Sequence, residues 1–339
     1  MPAQVLSSGV AGLLKSRPED FIVDECGVPV LPSESGEFSL LRLTKRGMTT
    51  FEAVKVLADQ LGVAPEDVGY AGLKDEDGVT SQVVSVPVSS SPGAPVATGS
   101  DQVEGPYLVA RPIGRSPVAL RAGAHGGNMF SLVVRRLPDP IGRRISSEAQ
   151  RTIHFLNYYD LQRFGLPGKP KVTHLVGQAL AEQDYESALR WLRHGQSTDA
   201  DAAVRDAAAY FGSLDARVVA FYLSAYESYL WNQRLSDEIG SRSPGARVLT
   251  REGLSISMVA SERDRLAVLA DVPTLPRPKY RARDGAVVRE VNERATVVQA
   301  HVTFGEAHRV DEDWDCACHF YLPPGCYATM LVLQLIETA

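Results

Sequence analysis

The sequence predicts an α+β protein, with a β-rich body and a mainly helical insertion. Short apolar runs typical of strands occur from about residue 12 to residue 135 and resume near residue 296. Between them, helical periodicity and alanine-rich stretches dominate. A block of this length with few strands packs more simply as its own domain, so we expect it to interrupt the body.

Each strand of the body is predicted from a short apolar run. These runs cover residues 21–23, 38–43, 83–88, 130–134 and 296–304, and another begins at Cys316. A helix is predicted after the second run, because Thr49 and Glu52 form a capping-box pattern and Gly62 ends the periodic apolar positions. Residues 89–100 are rich in proline, glycine and serine, which favours an exposed loop.

The helical insertion is predicted to begin near residue 146, where Ser147 and Gln150 form a second capping-box pattern. Helices are expected over residues 175–193, 200–210 and 214–239. We therefore expect three segments. Residues 1–152 form the first part of the body, residues 153–302 form the insertion, and residues 303–339 form C-terminal strands that rejoin the body.

Composition narrows the class of protein. With 339 residues, 44% of them hydrophobic and 22% charged, the chain can bury large cores and fill two domains. Its aliphatic runs fall far short of the ~20 residues of a membrane helix, and its first residues do not resemble a signal peptide. Four cysteines do not make a secreted disulfide framework. We expect a cytoplasmic protein without membrane contact.

The segment containing Cys316, Cys318 and His319 has residue types that bind zinc. Successive side chains of a strand point to opposite faces, so the two cysteines lie on one face and His319 on the other. Such ligands diverge. We therefore expect buried structural cysteines and no metal.

Charge is unevenly distributed along the chain. The net charge is −6, yet residues 105–171 contain eleven lysines and arginines against three acids. A basic region of this kind suits a phosphate backbone, where binding is electrostatic and weakens with salt. The alternative is that these side chains are scattered over a solvated surface.

An acidic turn at residues 69–82 is the strongest candidate for a reactive group. Asp75 lies there between a predicted helix and a predicted strand, with Glu76 and Asp77 beside it and Lys74 before it. A carboxylate that rigid elements hold on a loop can act as a nucleophile or base. The same turn could also be ordinary solvated turn chemistry, since Asp77-Gly78 is a common turn pair.

Five segments together resemble, in order, the motifs of the TruD family of pseudouridine synthases. They are residues 12–23 (GLLKSRPEDFIV), 71–75 with 79–82 (AGLKD and VTSQ), 127–130 (GNMF), 157–165 (NYYDLQRFG) and 322–329 (LPPGCYAT). The resemblance is strong over the body and thin over residues 170–300. The chain departs from the family's usual residues at Tyr159-Asp160, Glu227 and Leu333-Gln334.

This resemblance implies an antiparallel-sheet pseudouridine synthase catalytic domain with a mainly helical inserted domain. It also implies that Asp75 is the nucleophilic aspartate of an RNA uridine isomerase, with no cofactor. The carboxylate can attack the sugar at C1′, assist loss of the 2′ proton, or add to C6 of the base. The sequence leaves these three routes open.

Other site residues follow from the resemblance. Lys15 is expected to face Asp75 and keep it ionised, while Lys74 points away. Phe130 is expected to stack on the flipped-out base, with Asn128 reading the uracil edge or holding the loop. The remaining supporting residues are Glu19, Phe21, Thr80 and Gln82. The RNA-binding residues are Arg111, Arg115, Arg121, Arg135 and Arg163.

The expected function is therefore isomerisation of uridine 13 in the D-arm of tRNA, by a monomer with tRNA as its partner. Two alternatives stay open: a noncatalytic RNA-binding or folding module, and a pseudouridine synthase acting on another RNA site. A glycosidase is disfavoured, because carboxylates in one short turn do not flank a bond at about 5–9 Å. A calcium loop is disfavoured because Thr80 and Val86 occupy its glycine and glutamate positions.

Overall fold

A computed structural model of the chain describes residues 4–5, 12–27, 33–100, 105–121, 123, 125–165, 168–196, 204–243, 245–259, 261–283 and 285–337. The chain forms two compact units. The first unit contains Met1–Thr152 and Ala300–Gly325, and the second contains Ile153–Gln299 and Cys326–Ala339.

Most of the strands lie in the first unit. In chain order, the strands are β1 (Gln4–Val5), β2 (Leu13–Leu14), β3 (Phe21–Cys26), β4 (Phe38–Arg46), β5 (Gly69–Tyr70), β6 (Val79–Pro87), β7 (Val96–Thr98), β8 (Tyr107–Ser116), β9 (Gly127–Pro138), β10 (Gln150–Leu156), β11 (Arg247–Arg251), β12 (Leu254–Met258), β13 (Thr274–Arg283), β14 (Ala286–Ala295), β15 (Val297–Val310) and β16 (Asp313–Leu322).

Most of the helices lie in the second unit. In chain order, the helices are α1 (Thr50–Leu61), α2 (Asp139–Ser146), α3 (Thr173–Ala181), α4 (Tyr185–Gln196), α5 (Ala207–Ser213), α6 (Ala216–Arg242), α7 (Glu262–Asp271) and α8 (Ala328–Glu337). Short 3₁₀ turns cover Pro18–Asp20 and Leu161–Arg163, among others.

One large sheet has the strand order β10-β15-β16-β9-β3-β6-β4-β8-β7. β2 pairs with β9 beside it, and β5 pairs with β6. Neighbours such as β16 and β9, or β4 and β8, are antiparallel, whereas β3 and β6 run parallel. This mainly antiparallel sheet, together with the helices, confirms the expected α+β class.

Helix α1 begins and ends where the sequence predicts. Thr49 accepts a hydrogen bond from the Glu52 amide, and the Glu52 carboxylate accepts one from the Thr49 amide. Gly62 ends the helix in a left-handed conformation, with φ of +66°. The helix packs Val54 and Leu57 into a core with strands β4, β6 and β8. This packing anchors β6, the strand that follows the acidic turn, and Tyr70 of β5, which precedes it, also packs against the same core.

The second unit has its own core. Helices α3, α4 and α5 contribute Val176, Leu189 and Phe211 to one buried cluster. Strand β13 is fixed to helix α6, because the Ser224 hydroxyl accepts from the Tyr280 amide at 2.9 Å and donates to the Tyr280 carbonyl at 3.1 Å. Burial of these apolar side chains stabilises the unit independently of the large sheet.

The second predicted capping box, at Ser147 and Gln150, does not start a helix. Helix α2 ends at Ser146, and Gln150 is the first residue of β10. In β10, Ile153 and Phe155 are buried at a period of two, which is a strand pattern. A local capping pattern is overridden here by pairing in the sheet.

The C-terminal segment also differs from the expectation that residues 303–339 are strands. Strands β15 and β16 do join the sheet beside β9, but residues 328–337 form helix α8 in the second unit. Every residue from Ala328 to Ile336 is buried. A helix that is apolar on all sides must be buried, and it lacks the one-sided periodicity that reveals an amphipathic helix.

The insertion also contains two hairpins that the sequence did not reveal, β11 with β12 and β13 with β14. The first turns through Glu252-Gly253, both with positive φ, as a two-residue hairpin turn requires. Among the helices of the described residues, none is long and apolar enough to cross a membrane.

We predict that Thr49→Ala lowers the free energy of unfolding by about 1 kcal/mol, because α1 loses its cap. Urea denaturation measures this change. Thr49→Ser keeps the hydroxyl and should unfold like the wild type. Equal stabilities for all three proteins would contradict the role of the cap.

Candidate active site

Asp75 lies on an irregular loop, residues 71–78, between β5 and β6. Its side chain is 25% exposed, whereas Lys74 beside it is buried. The loop passes tightly against β3, since a Cβ on Gly78 would lie 2.4 Å from the Phe21 carbonyl oxygen. Asp75 is thus the partly accessible carboxylate of a closely packed turn.

Lys15 forms an ion pair with the Asp75 carboxylate, as the sequence predicts for the cation facing it. The Nζ atom lies 3.1 Å from Asp75 Oδ2, and the lysine side chain is 7% exposed. The same ammonium lies 4.2 Å from the centre of the Phe21 ring, a cation–π contact. Lys15 has φ of +58°, an unusual backbone conformation for a residue other than glycine.

Lys45, at the end of β4, was not predicted as a site residue. It is fully buried, and its Nζ donates to the carbonyl oxygens of Met48 at 2.8 Å and Asp75 at 2.7 Å. Burial lowers the pKa of Lys45 to about 8, although the nearby carboxylates of Asp75 and Glu76 oppose the shift. The carboxylate and the carbonyl of Asp75 are therefore held by two different lysines.

Lys74 points away from the Asp75 carboxylate. Its Nζ lies 2.6 Å from Glu25 Oε2 on β3, and both side chains are almost completely buried. The other Glu25 oxygen accepts from the Val83 amide at 3.3 Å. This buried ion pair fixes the residue immediately before Asp75 to the sheet.

Two further hydrogen bonds hold the loop. The Thr50 hydroxyl accepts from the Lys74 amide at 2.8 Å, and the Gln82 amide donates to the Gly72 carbonyl at 3.0 Å. Gln82 thus contacts the loop it was expected to orient. Thr80 does not, because its buried hydroxyl has no hydrogen-bond partner among the residues that the structure describes.

An aromatic cluster surrounds the Lys15 contact. Phe130 on β9 stacks on Phe320 at 5.4 Å and meets Phe21 edge to face at 6.1 Å. Phe130 is buried, with 6% of the residue exposed. Asn128 lies two residues away, opposite Glu25, and its buried Oδ1 has no hydrogen-bond partner within the described parts of the chain.

Glu19 is not positioned as the sequence suggests. It was expected to share a strand face with Phe21, but it lies on the 3₁₀ turn Pro18–Asp20 and its side chain is 54% exposed. Its carboxylate pairs with Arg46 at 2.7 Å. Residue 19 lies in the proline-containing turn before β3, which begins at Phe21, so the alternation of side chains along a strand does not apply to it.

The five candidate RNA-binding arginines have different surroundings. Arg135 is an ion-pair residue, because it bridges Asp20 and Asp315 at 2.5 and 2.6 Å. The hydrogen bond to Asp20 raises the pKa of Arg135. Arg135 is thus committed to two carboxylates and is a poor phosphate ligand. The other four lie in two settings.

Of the four candidate arginines other than Arg135, three lie in the first unit and one in the second. Arg111, Arg115 and Arg121 are exposed, as phosphate contact requires. Arg163 is half-buried, donates to the Ser228 hydroxyl at 3.1 Å and lies over the Phe221 ring.

The cysteine-rich strand β16 alternates as predicted. Cys316 and Cys318 are buried, while His319 is exposed and lies 3.0 Å from the Ser131 hydroxyl. Among the described residues, no group of histidine, cysteine or acidic side chains is arranged to hold a metal ion. Burial raises the pKa of Cys316 to about 11.

The sequence does contain a signal for Lys45 and Glu25, the two charged residues beside the loop that were not predicted. Lys45 follows Leu43 by two residues on β4, and Glu25 follows Val23 by two on β3. Each charge therefore continues the buried face of its strand. A charged residue in that position must find a buried partner, which marks it as part of a polar network.

The fold and the site define an α+β protein whose candidate reactive group is a single carboxylate on a loop fixed by buried lysines. Residues 4–215 match the family described as tRNA pseudouridine synthase D (TruD). This match covers more than half of the chain, so the chain belongs to the TruD family and the resemblance in the motifs is confirmed.

Individual relatives agree with this membership. The chain is 36% identical over 232 residues to tRNA pseudouridine synthase D of Anaeromyxobacter dehalogenans, covering 68% of this chain and 58% of that protein. It is 34% identical over 188 residues to the protein of that name from a Geobacter species, covering 53% and 44%. The chain thus spans about half the length of these curated relatives.

A solved structure shares the fold. It is the putative tRNA pseudouridine synthase D of Methanosarcina mazei, with a TM-score of 0.56 and 20% sequence identity. The match covers 100% of this chain and 95% of that one. At this identity, the likeness concerns the fold alone.

We predict that Glu25→Gln destabilises the protein by about 3–5 kcal/mol, because Lys74 is left buried without its counter-charge. Urea denaturation measures the change. The double variant Glu25→Leu with Lys74→Met removes both charges and should be less destabilised than Glu25→Gln. A double variant that is less stable than Glu25→Gln would contradict this account.

We predict that Lys45→Met loosens the Asp75 loop, because two carbonyl oxygens lose a charged donor. Amide hydrogen exchange in residues 72–78 should accelerate about 10- to 100-fold, while exchange in the centre of β4 stays slow. Lys55→Met, on the exposed side of α1, is the control. Unchanged exchange in the loop would contradict the role of Lys45.

Proposed function

We propose that this protein is a tRNA pseudouridine synthase that isomerises uridine 13 in the D-arm of tRNA, with Asp75 as the nucleophile on a flipped-out base. Membership of the TruD family supports the reaction class. The observation that carries the proposal is the Lys15 to Asp75 ion pair at 3.1 Å, on a partly exposed carboxylate of a fixed loop. We assign catalysis to the first unit and regard the second as the inserted domain.

The surroundings of Asp75 suit a nucleophilic carboxylate. Lys15 pairs with the carboxylate at 3.1 Å and places a positive charge beside it. Lys45 holds the backbone of the same residue, so the carboxylate is oriented before substrate arrives. This preorganisation serves each of the three routes: attack at C1′, loss of the 2′ proton, or addition to C6 of the base.

Asn128 provides a way to recognise uracil. Its Oδ1 is a buried acceptor without a partner among the described residues, and the N3–H of uracil is a donor. A hydrogen bond between them would favour uracil over cytosine, whose N3 has no hydrogen. Phe130, on the same face of β9, is the aromatic residue proposed to meet the extruded base.

The RNA itself would be bound electrostatically. Arg111, Arg115 and Arg121 are exposed and available to phosphates, whereas Arg135 is held by two carboxylates. We propose that the protein acts as a cytoplasmic monomer with tRNA as its partner and needs no cofactor. Breaking and re-forming a glycosidic bond within one nucleotide is redox-neutral, so a carboxylate can supply the chemistry.

We predict that Asp75→Asn abolishes pseudouridine formation in unmodified tRNA, because the nucleophile is lost. Incubation of purified protein with tRNA transcripts, followed by mapping of pseudouridine, measures the product and its position. Asp77→Asn removes the same charge from the same loop and is the control, with an expected rate within a few-fold of the wild type.

The outcomes separate the alternatives. No pseudouridine with the wild type on any tRNA would reject the enzyme and leave a noncatalytic RNA-binding module. Pseudouridine at a position other than 13 would retain the enzyme and replace the substrate site. Full activity of Asp75→Asn would reject Asp75 as the nucleophile.

A further inference from the structure

Strand β13 of the second unit carries four cations on one face. Residues at alternate positions of a strand share a face, and the four are Arg277, Lys279, Arg281 and Arg283. Their partners on β14 are Asn292, Glu290, Val288 and Ala286. One carboxylate therefore faces four positive charges.

That carboxylate is already engaged. Glu290 lies 3.1 Å from Arg281 and 3.0 Å from Arg283. The two cations nearer the start of the strand, Arg277 and Lys279, have no carboxylate partner within the described residues. The Nε of Arg277 is also buried without an acceptor there. This part of β13 therefore carries uncompensated positive charge.

Lys279 is the centre of this charge. It is half-buried, and burial lowers its pKa to about 8, with further lowering by Arg281, Arg277 and Arg163 that Glu290, opposite it on β14, partly opposes. Additional negative charge from outside the chain would therefore stabilise the charged form of this lysine. Arg163 belongs to the same group, since its charge contributes to lowering the pKa of Lys279, and its guanidinium donates to the Ser228 hydroxyl of α6.

We infer that Lys279 and Arg277, with Arg163 beside them, form a binding site for the phosphodiester backbone of RNA. The inference rests on the proposed function for the kind of polyanion. Cations at alternate positions of a strand lie about 6.6 Å apart, so together they can contact more than one phosphate of an extended polyanion.

The site does not recognise individual bases of the RNA. Its ligands are ammonium and guanidinium groups, which contact phosphate without distinguishing sequence. It therefore contributes affinity and register, whereas under the proposed function Asn128 and Asp75 act on the target uridine. Loss of the site should weaken all RNAs to a similar extent.

Binding of a fluorescein-labelled, unmodified tRNA transcript tests the inference by fluorescence anisotropy at several salt concentrations. Lys279→Met should raise Kd about tenfold and reduce the slope of log Kd against log salt by about 1. Arg277→Gln should act in the same direction. Arg190→Gln removes an exposed charge from α4 of the same unit and is the control, with a Kd within about twofold of the wild type.

Thermal unfolding separates binding from folding. Lys279→Met should raise the unfolding temperature at pH 7, because the folded wild type disfavours the charged lysine. This increase in the unfolding temperature should diminish as the pH rises from about 8, where Lys279 of the folded wild type releases its proton, towards 10.5, where the unfolded chain also releases it. If Lys279→Met misfolds, Arg277→Gln decides the inference.

Failure of this inference differs from failure of the proposed function. Unchanged Kd and salt slope in both folded variants would overturn the β13 site, even if the wild type makes pseudouridine. Weaker tRNA binding by the variants would support the site, even if the wild type makes no pseudouridine. Absence of any tRNA binding by the wild type would overturn both.

Discussion

The first unit depends on keeping an irregular loop in one place so that a single carboxylate is presented. Three lysines do this from different directions. Lys15 binds the Asp75 carboxylate, Lys45 binds the Asp75 carbonyl, and Lys74 ties the preceding residue to Glu25. Burying three ammonium groups is costly, so each must be fully satisfied, and this requirement fixes the strands that supply their partners.

Strand β13 of the second unit places charge differently. In the first unit, Arg135 is neutralised by two carboxylates, and the buried cations meet carbonyls or acids. In the second, Lys279 and Arg277 lie among other cations. A protein of net charge −6 attracts a polyanion through such local excess rather than through its total charge. A rigid loop thus requires cations that are paired with acids or carbonyls, whereas attraction of a polyanion requires cations that are not.

Sequence patterns predicted the elements whose causes are local. The capping box of Thr49 and the stop at Gly62 bound helix α1 as expected. The Ser147 pattern failed because pairing in the sheet decided that segment, and α8 was missed because its residues are apolar on all sides. Lys45 was missed as a site residue since the Asp75 carbonyl that it binds lies thirty residues away, and the strand pattern marks Lys45 as buried without identifying that partner.

The left-handed backbone of Lys15 links the candidate site to the start of the chain. A residue with a side chain loses roughly 1–2 kcal/mol in this conformation. Here the ion pair to Asp75 and the contact with Phe21 offset that loss. The Asp75 carboxylate consequently serves as a structural anchor as well as a candidate nucleophile. Loss of its charge would remove one of the two contacts that hold Lys15 in this conformation and would leave the contact with Phe21 to hold it alone.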